Sequence, residues 1–249
     1  PHRRAEGPSS ASPGSGTEET DTLGGEPTWP VIAVPLAGAA TSLLGLATLL
    51  GWILGLPLLT RFGSDLIPMA PSTAVLFVAH GVVLCLRARP APGRRATRVR
   101  VALCGLAAVA ALVLLVLSSL GIRSPVEHLG MSISGDVRGA PVGHMSPVTA
   151  ACFLLASLAA SMSLPDSSAR SVRRLVAFGS AGVLLGTSFV FFLAYLYGRP
   201  LLYGGGFIPP ALNTTLAFAL LGLGLLVAIG RRGAIPEELH QRTRASGWF

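Results

Sequence analysis

Six stretches of this chain run for 16 to 27 residues without one Asp, Glu, Lys or Arg: 30–56, 71–86, 101–121, 147–163, 175–197 and 210–230. A helix needs about 20 apolar residues to cross the hydrocarbon core of a bilayer, and inside it every backbone polar group must be paired within the segment. Leu, Ala, Val and Gly fill the stretches without strand-like alternation, so helices are expected and a lipid-facing barrel is not. With 51% hydrophobic and 12% charged residues in 249, the chain lies outside soluble globular composition. The fold class expected is an all-α integral membrane protein with six transmembrane helices.

The helix starts repeat. Pro71-Ser72-Thr73-Ala74-Val75-Leu76-Phe77 returns as Pro147-Val148-Thr149-Ala150-Ala151-Cys152-Phe153 and again as Pro209-Pro210-Ala211-Leu212-Asn213-Thr214-Thr215-Leu216-Ala217-Phe218. Each has Pro in its entry, Thr73, Thr149 or Thr214, and a phenylalanine four residues later at Phe77, Phe153 or Phe218. Proline suits the first helical turn, where its missing N–H has no partner, and nearby Ser, Thr or Asn can cap the remaining donors. Each start is preceded by a Gly-then-Pro stop, at Gly55-Leu56-Pro57, Gly121-Ile122-Arg123-Ser124-Pro125 and Gly198-Arg199-Pro200. The chain therefore predicts three helical hairpins, about 30–87, 101–163 and 174–230, in a pseudo-threefold bundle. They form a transmembrane domain over 29–231, between a disordered cytoplasmic segment over 1–28 and a cytoplasmic tail over 232–249.

Every basic residue among the 19 is Arg. Thirteen lie after even spans or in the tail and four in the other loops, which places both termini in the cytoplasm of a multi-pass inner-membrane protein. The net charge of +8 is then a topology signal, and no nucleic-acid partner is expected. Cys85, Cys104 and Cys152 lie in or beside apolar runs and form neither a disulfide framework nor a CxxC metal site.

Candidate ligand-binding residues are Ser72, Thr73, Thr149, Asn213 and Thr214, whose helix starts would converge on a shallow anion or headgroup site if the three ends meet. The competing reading is that they cap their own helices. His80, the ionisable residue well inside a run, is either a hydrogen-bonded interior group or a haem or metal ligand without a partner in the sequence. In the outer loop, His128, Asp136 and His144 fit no dense metal-ligand spacing, and no metal or cofactor is expected. Tyr195, Tyr197 and Tyr203 read as an interfacial belt, and Gly204 to Gly206 lacks the context of a phosphate loop. Arg61 and Asp65 suggest a surface pair. The Gly51–Gly55 and Gly182–Gly186 spacings invite close helix approach, hence a homodimer within the lipid bilayer.

The repeated Pro-x-Thr-Ala-x-x-x-Phe starts and Tyr197-Gly198-Arg199-Pro200-Leu201-Leu202-Tyr203 resemble the N-terminal membrane input regions of bacterial sensor histidine kinases and diguanylate cyclases, of the membrane-associated sensor type. The resemblance implies a sensory or anchoring module working through a cytoplasmic output domain, which this chain lacks. Glu238-Leu239-His240-Gln241-Arg242 departs from the Ser-His-Glu-Leu-Arg phosphoacceptor pattern, so kinase activity does not carry over.

Neither HExxH nor GxSxG is present, so an enzyme is not expected. With no lysine, a retinal Schiff base is excluded. The alternative is a small-solute transporter or channel, since repeated hairpins with broken helices occur there, although no Asp, Glu or Arg lies deep in a span to carry coupled charge.

Overall fold

A computed structural model describes residues 29–63, 66–89, 93–137, 139–162, 170–198, 201 and 208–245. The lead over 1–28, Asp65, Arg138, the turn over 164–168, Arg199, Pro200, Tyr203 and the glycine run over 204–206 lie outside these.

The described residues form α1 (Trp29–Leu54), a single turn α2 (Pro57–Thr60), α3 (Pro71–Ala88), α4 (Arg94–Ser119), α5 (Pro147–Met162), α6 (Arg170–Leu196) and α7 (Leu212–Ala245). The loop between α4 and α5 holds a 3-10 turn (Pro125–His128) and a hairpin of β1 (Asp136–Val137) with β2 (Ala140–Pro141), in which Asp136 faces Pro141. Among the described residues five helices are long and apolar enough to cross a membrane. The sixth, α5, has 16 residues, about 24 Å at 1.5 Å per residue, against a hydrocarbon core of about 30 Å. The protein is thus a mostly helical, multi-pass membrane protein by length and composition.

Helix packing follows the hairpins. α1 lies along α3, α4 along α5 and α6 along α7. α3, α5 and α7 touch one another at the centre. Each outer helix also leans on the inner helix of a neighbouring hairpin: α1 on α7, α4 on α3, and α6 on α5.

The expected stops end the outer helices. Gly55, Gly121 and Gly198 adopt φ of +65°, +70° and +66°, a left-handed turn that costs a residue with a Cβ about 1–2 kcal/mol. At the first two, an N–H just past the glycine returns to the carbonyl five residues back, Leu56 to Gly51 (2.8 Å) and Ile122 to Leu117 (2.9 Å). Gly230 has no positive φ, and α7 continues through Pro236 to Ala245. Residues 232–245, within the segment expected as a cytoplasmic tail, are helical and continuous with the last helix.

Two expectations about close helix approach change. Gly51 faces Leu59, Thr60 and the Leu56 carbonyl of its own loop, and a Cβ at Gly182 or Gly186 would meet nothing within 4 Å. The tight seam is instead between α1 and α3. A Cβ at Gly38 would come 2.8 Å from the Gly81 carbonyl, one at Gly45 would come 2.6 Å from the Ala74 carbonyl, and one at Gly81 would meet Ser42 and the Gly38 carbonyl. These glycines are seven residues apart or alone, so the three-residue spacing missed them.

Candidate functional site

The centre of the bundle is built in layers from the repeated starts. Thr73, Thr149 and Thr214 are each 2% exposed. One turn further in, Phe77, Phe153 and Phe218 form a triangle with ring centroids 4.8, 4.7 and 4.7 Å apart and planes inclined at 60°, 62° and 59°. Edge-to-face aromatic pairs at such distances are stabilising beyond their area, because positive ring edges meet negative faces. Below the rings come His80, Ala156 and Leu221, then Leu84, Ala160 and Leu225, all buried.

Above the rings, each inner helix is tied to its outer partner by the same device. Trp52 Nε1–H donates to the Met69 carbonyl (2.8 Å), Ser118 Oγ–H to the Met145 carbonyl (3.3 Å) and Tyr195 O–H to the Pro210 carbonyl (2.7 Å). Each donor lies three residues before a stop glycine, and each acceptor two residues before an inner helix begins. Tyr195, expected as part of an interfacial belt, is thus a structural tie. Ser118 carried no mark in the sequence, because Trp, Ser and Tyr share only a donor hydrogen. The signal that finds all three is their common offset from the stop glycine.

Residues expected to line a polar site at the helix starts are buried, Ser72 at 9% and the others at 3% or less. Asn213 Nδ2–H donates to the Thr60 carbonyl (2.8 Å), and its Oδ1 accepts from the Thr214 N–H (3.2 Å). Thr60 O also accepts from the Met69 N–H (2.9 Å), so Asn213 joins the third hairpin to the first. The capping alternative fails in α3, whose N-terminus has no side-chain cap: Ala70 occupies the cap position and Pro71 the first turn. Ser72 Oγ finds no partner among the described residues. Helix starts packed against other chain segments obtain their hydrogen bonds from those segments, which local sequence does not specify.

His80 is 2% exposed and bonded at both ring nitrogens. Nδ1 lies 2.8 Å from the Leu76 carbonyl, which only accepts, so Nδ1 carries the proton; Nε2 then accepts from the Ser157 hydroxyl at 3.0 Å. The ring packs 5.3 Å from that of Phe153. Both nitrogens are committed to protein partners, so this ring has no lone pair left for a metal or haem.

The α4–α5 loop gathers a second polar cluster. Glu127, 4% exposed, bonds His144 Nδ1 through Oε1 (3.1 Å) and accepts the Met145 N–H at Oε2 (2.5 Å), anchoring the entry to α5. The rings of His128 and His144 stack with centroids 4.7 Å apart. Partial burial and the neighbouring His144 together lower the His128 pKa, more than Glu127 raises it. Asp136 is spent on the β-hairpin, accepting from the Gly139 N–H (2.6 Å). Among the described residues no three His, Cys, Asp or Glu side chains come together as a metal site.

Comparison with protein-family models, curated proteins and solved structures returned no match. The class is therefore defined by the molecule itself: an all-α, multi-pass membrane bundle with a closed aromatic centre.

Proposed function

We propose that this chain is the membrane-embedded input or anchoring module of a bacterial signal-transduction protein, working through a cytoplasmic output domain beyond the residues present here. The observation that carries the reading is α7, a 34-residue helix that begins in the core at Leu212 and continues to Ala245. Its last 14 residues would project about 21 Å past Arg231, a rod that passes movement of the core to whatever follows. The bundle has six spans in three hairpins about a pseudo-threefold axis, with α5 crossing a locally thinned bilayer and both termini cytoplasmic. The phenylalanine triangle, the three side-chain ties and the cyclic packing of outer helices on inner ones support that symmetry. The rings fill the axis where a solute path would run, and no acidic residue lies in α1 or α3 to α6, which favours this reading over a transporter.

A diguanylate-cyclase reporter fused after Ala245, with one to four alanines inserted after Arg232, tests the coupling. Output that varies with a helical period of about 3.6 residues supports signalling through α7. Uniform output leaves an anchor, and solute uptake by proteoliposomes holding this chain alone would favour the transporter. Reporter fusions within 129–143 and at Phe249 test the topology, and a cytoplasmic signal from the loop would overturn six spans. Cross-linking in nanodiscs tests self-association along the open Gly182 and Gly186 face of α6.

A further inference from the structure

A groove of ≈ 470 Å³ opens between α4 and α5. Its wall is apolar, with Val101, Gly105 and Leu158 exposed along it, and its polar groups are Arg100, Ser157 and Ser161. Arg100 is 3% exposed, and its Nε finds no partner among the described residues. Between 29 and 231 the acidic residues are Asp65, Glu127, Asp136 and Asp166. Glu127 and Asp136 belong to the outer loop at the opposite end of α4, and Asp65 to the outer loop of the first hairpin.

Depth identifies the occupant. Arg100 lies 18 residues before Ser118, whose hydroxyl marks the outer ring of ties, and 18 residues of helix span about 27 Å. That is the inner boundary of a hydrocarbon core about 30 Å thick, where lipid phosphates lie. From Arg100 the groove climbs past Gly105 to Ala108, about 12 Å towards the bilayer centre, with aliphatic walls. A buried cation without an anion is costly, and a guanidinium matches the paired oxygens of a phosphate.

We propose that this groove binds an acidic phospholipid of the inner leaflet, its phosphate at Arg100 and an acyl chain lying over Gly105 between α4 and α5. Ser157 lines the groove and also holds His80, so the site reaches the core. The inference rests on reading these helices as membrane-spanning.

The test is native mass spectrometry of the full chain released from nanodiscs containing equal dioleoyl-phosphatidylglycerol and dioleoyl-phosphatidylcholine. The wild type should retain phosphatidylglycerol about tenfold over phosphatidylcholine, equivalent to about 1.4 kcal/mol. Arg100→Gln should bring the ratio near one. Gly105→Leu, where a Cβ meets nothing within 4 Å, fills the groove with the charge intact and should abolish retention of either lipid. Inorganic phosphate should not displace the lipid; displacement by phosphate, with phosphate still bound by Gly105→Leu, would reassign the site to a free anion. Retention unchanged in both variants would overturn the proposal, as would a several-fold rise in Asp166→Asn, which would make that carboxylate the groove's own counter-ion. Membrane insertion with no lipid preference would sink the site while leaving the six-span reading intact.

Discussion

The inner helices α3, α5 and α7 and the outer helices α1, α4 and α6 are built from nearly the same residues and lead opposite lives. Of the five long helices, the most apolar window belongs to α4, the least buried, while α3 has the least apolar window and is among the most buried. In water that ordering would be backwards. In lipid the tails are as apolar as leucine, so hydropathy reports only that a helix lies in the membrane, and packing shape decides which helices meet at the centre. The phenylalanine triangle and one buried histidine mark the inner set, while Leu43, Leu106 and Phe189 on the outer helices are more than half exposed.

The largest expected effect separates the two sets directly. Phe153→Ala removes one ring of a triangle whose members are 3% exposed or less, whereas Leu106→Ala trims a side chain that is 69% exposed to lipid. Phe→Ala in a water-soluble core costs about 3–5 kcal/mol, part of it transfer from water. Helices already in lipid do not recover that part, so about 2–3 kcal/mol is expected for Phe153→Ala and under about 0.5 for Leu106→Ala. Reversible denaturant unfolding in mixed micelles measures both, and equal losses would erase the distinction between inner and outer helices.

A smaller contrast concerns glycines. Gly81→Ala puts a methyl against Ser42 and the Gly38 carbonyl, and backbone cannot yield as a flexible side chain can. About 1–2 kcal/mol of overpacking is expected there, and near zero for Gly186→Ala, which faces open space. Gly186→Ala becomes informative in a dimer assay: loss of cross-linking without loss of stability would place the partner on α6.

Next in size are the ties between the two sets. Tyr195→Phe removes one donor from the Pro210 carbonyl and Trp52→Phe one from Met69. Interhelical hydrogen bonds in lipid contribute about 0.6 kcal/mol on average, so each single loss should be near that value. A hairpin whose tie can be removed at no cost would break the equivalence of the three.

These contrasts mark what was legible. The helical, membrane-spanning class, the stop glycines, the repeated starts and the phenylalanine positions stand in the sequence because each needs a particular residue type or composition. The ties do not, since any donor serves and Trp52, Ser118 and Tyr195 share no composition. His80 was visible as a polar group in an apolar run, but its partner Ser157 lies 77 residues away on a helix where serine is unremarked. Arg87 and Arg100 read as two members of a basic loop, and burial singles them out only once α3, α4 and α5 have packed.

The smallest expected effect lies outside the helices, where the α4–α5 loop contrasts with the membrane core in responding to pH. His128 is packed against His144, with Glu127 the carboxylate and Arg123 the guanidinium of the same loop region, and its pKa is lowered below the usual 6.5. A lowered histidine pKa means that the unfolded loop takes up a proton before the folded loop does. Stability from this group is therefore intact above about pH 6.5, falls as pH drops below that value, and levels off below the folded pKa. The Nε2 atom is buried without a partner among the described residues, so a proton there would arrive without an acceptor to receive it. Hydrogen exchange at Gly143 and Met145 should accelerate between pH 7 and 5 in the wild type. His128→Gln, with His144 and Glu127 unchanged, should flatten that rise after correction for intrinsic exchange. An identical pH profile in the variant would show that His128 does not carry the loop's response.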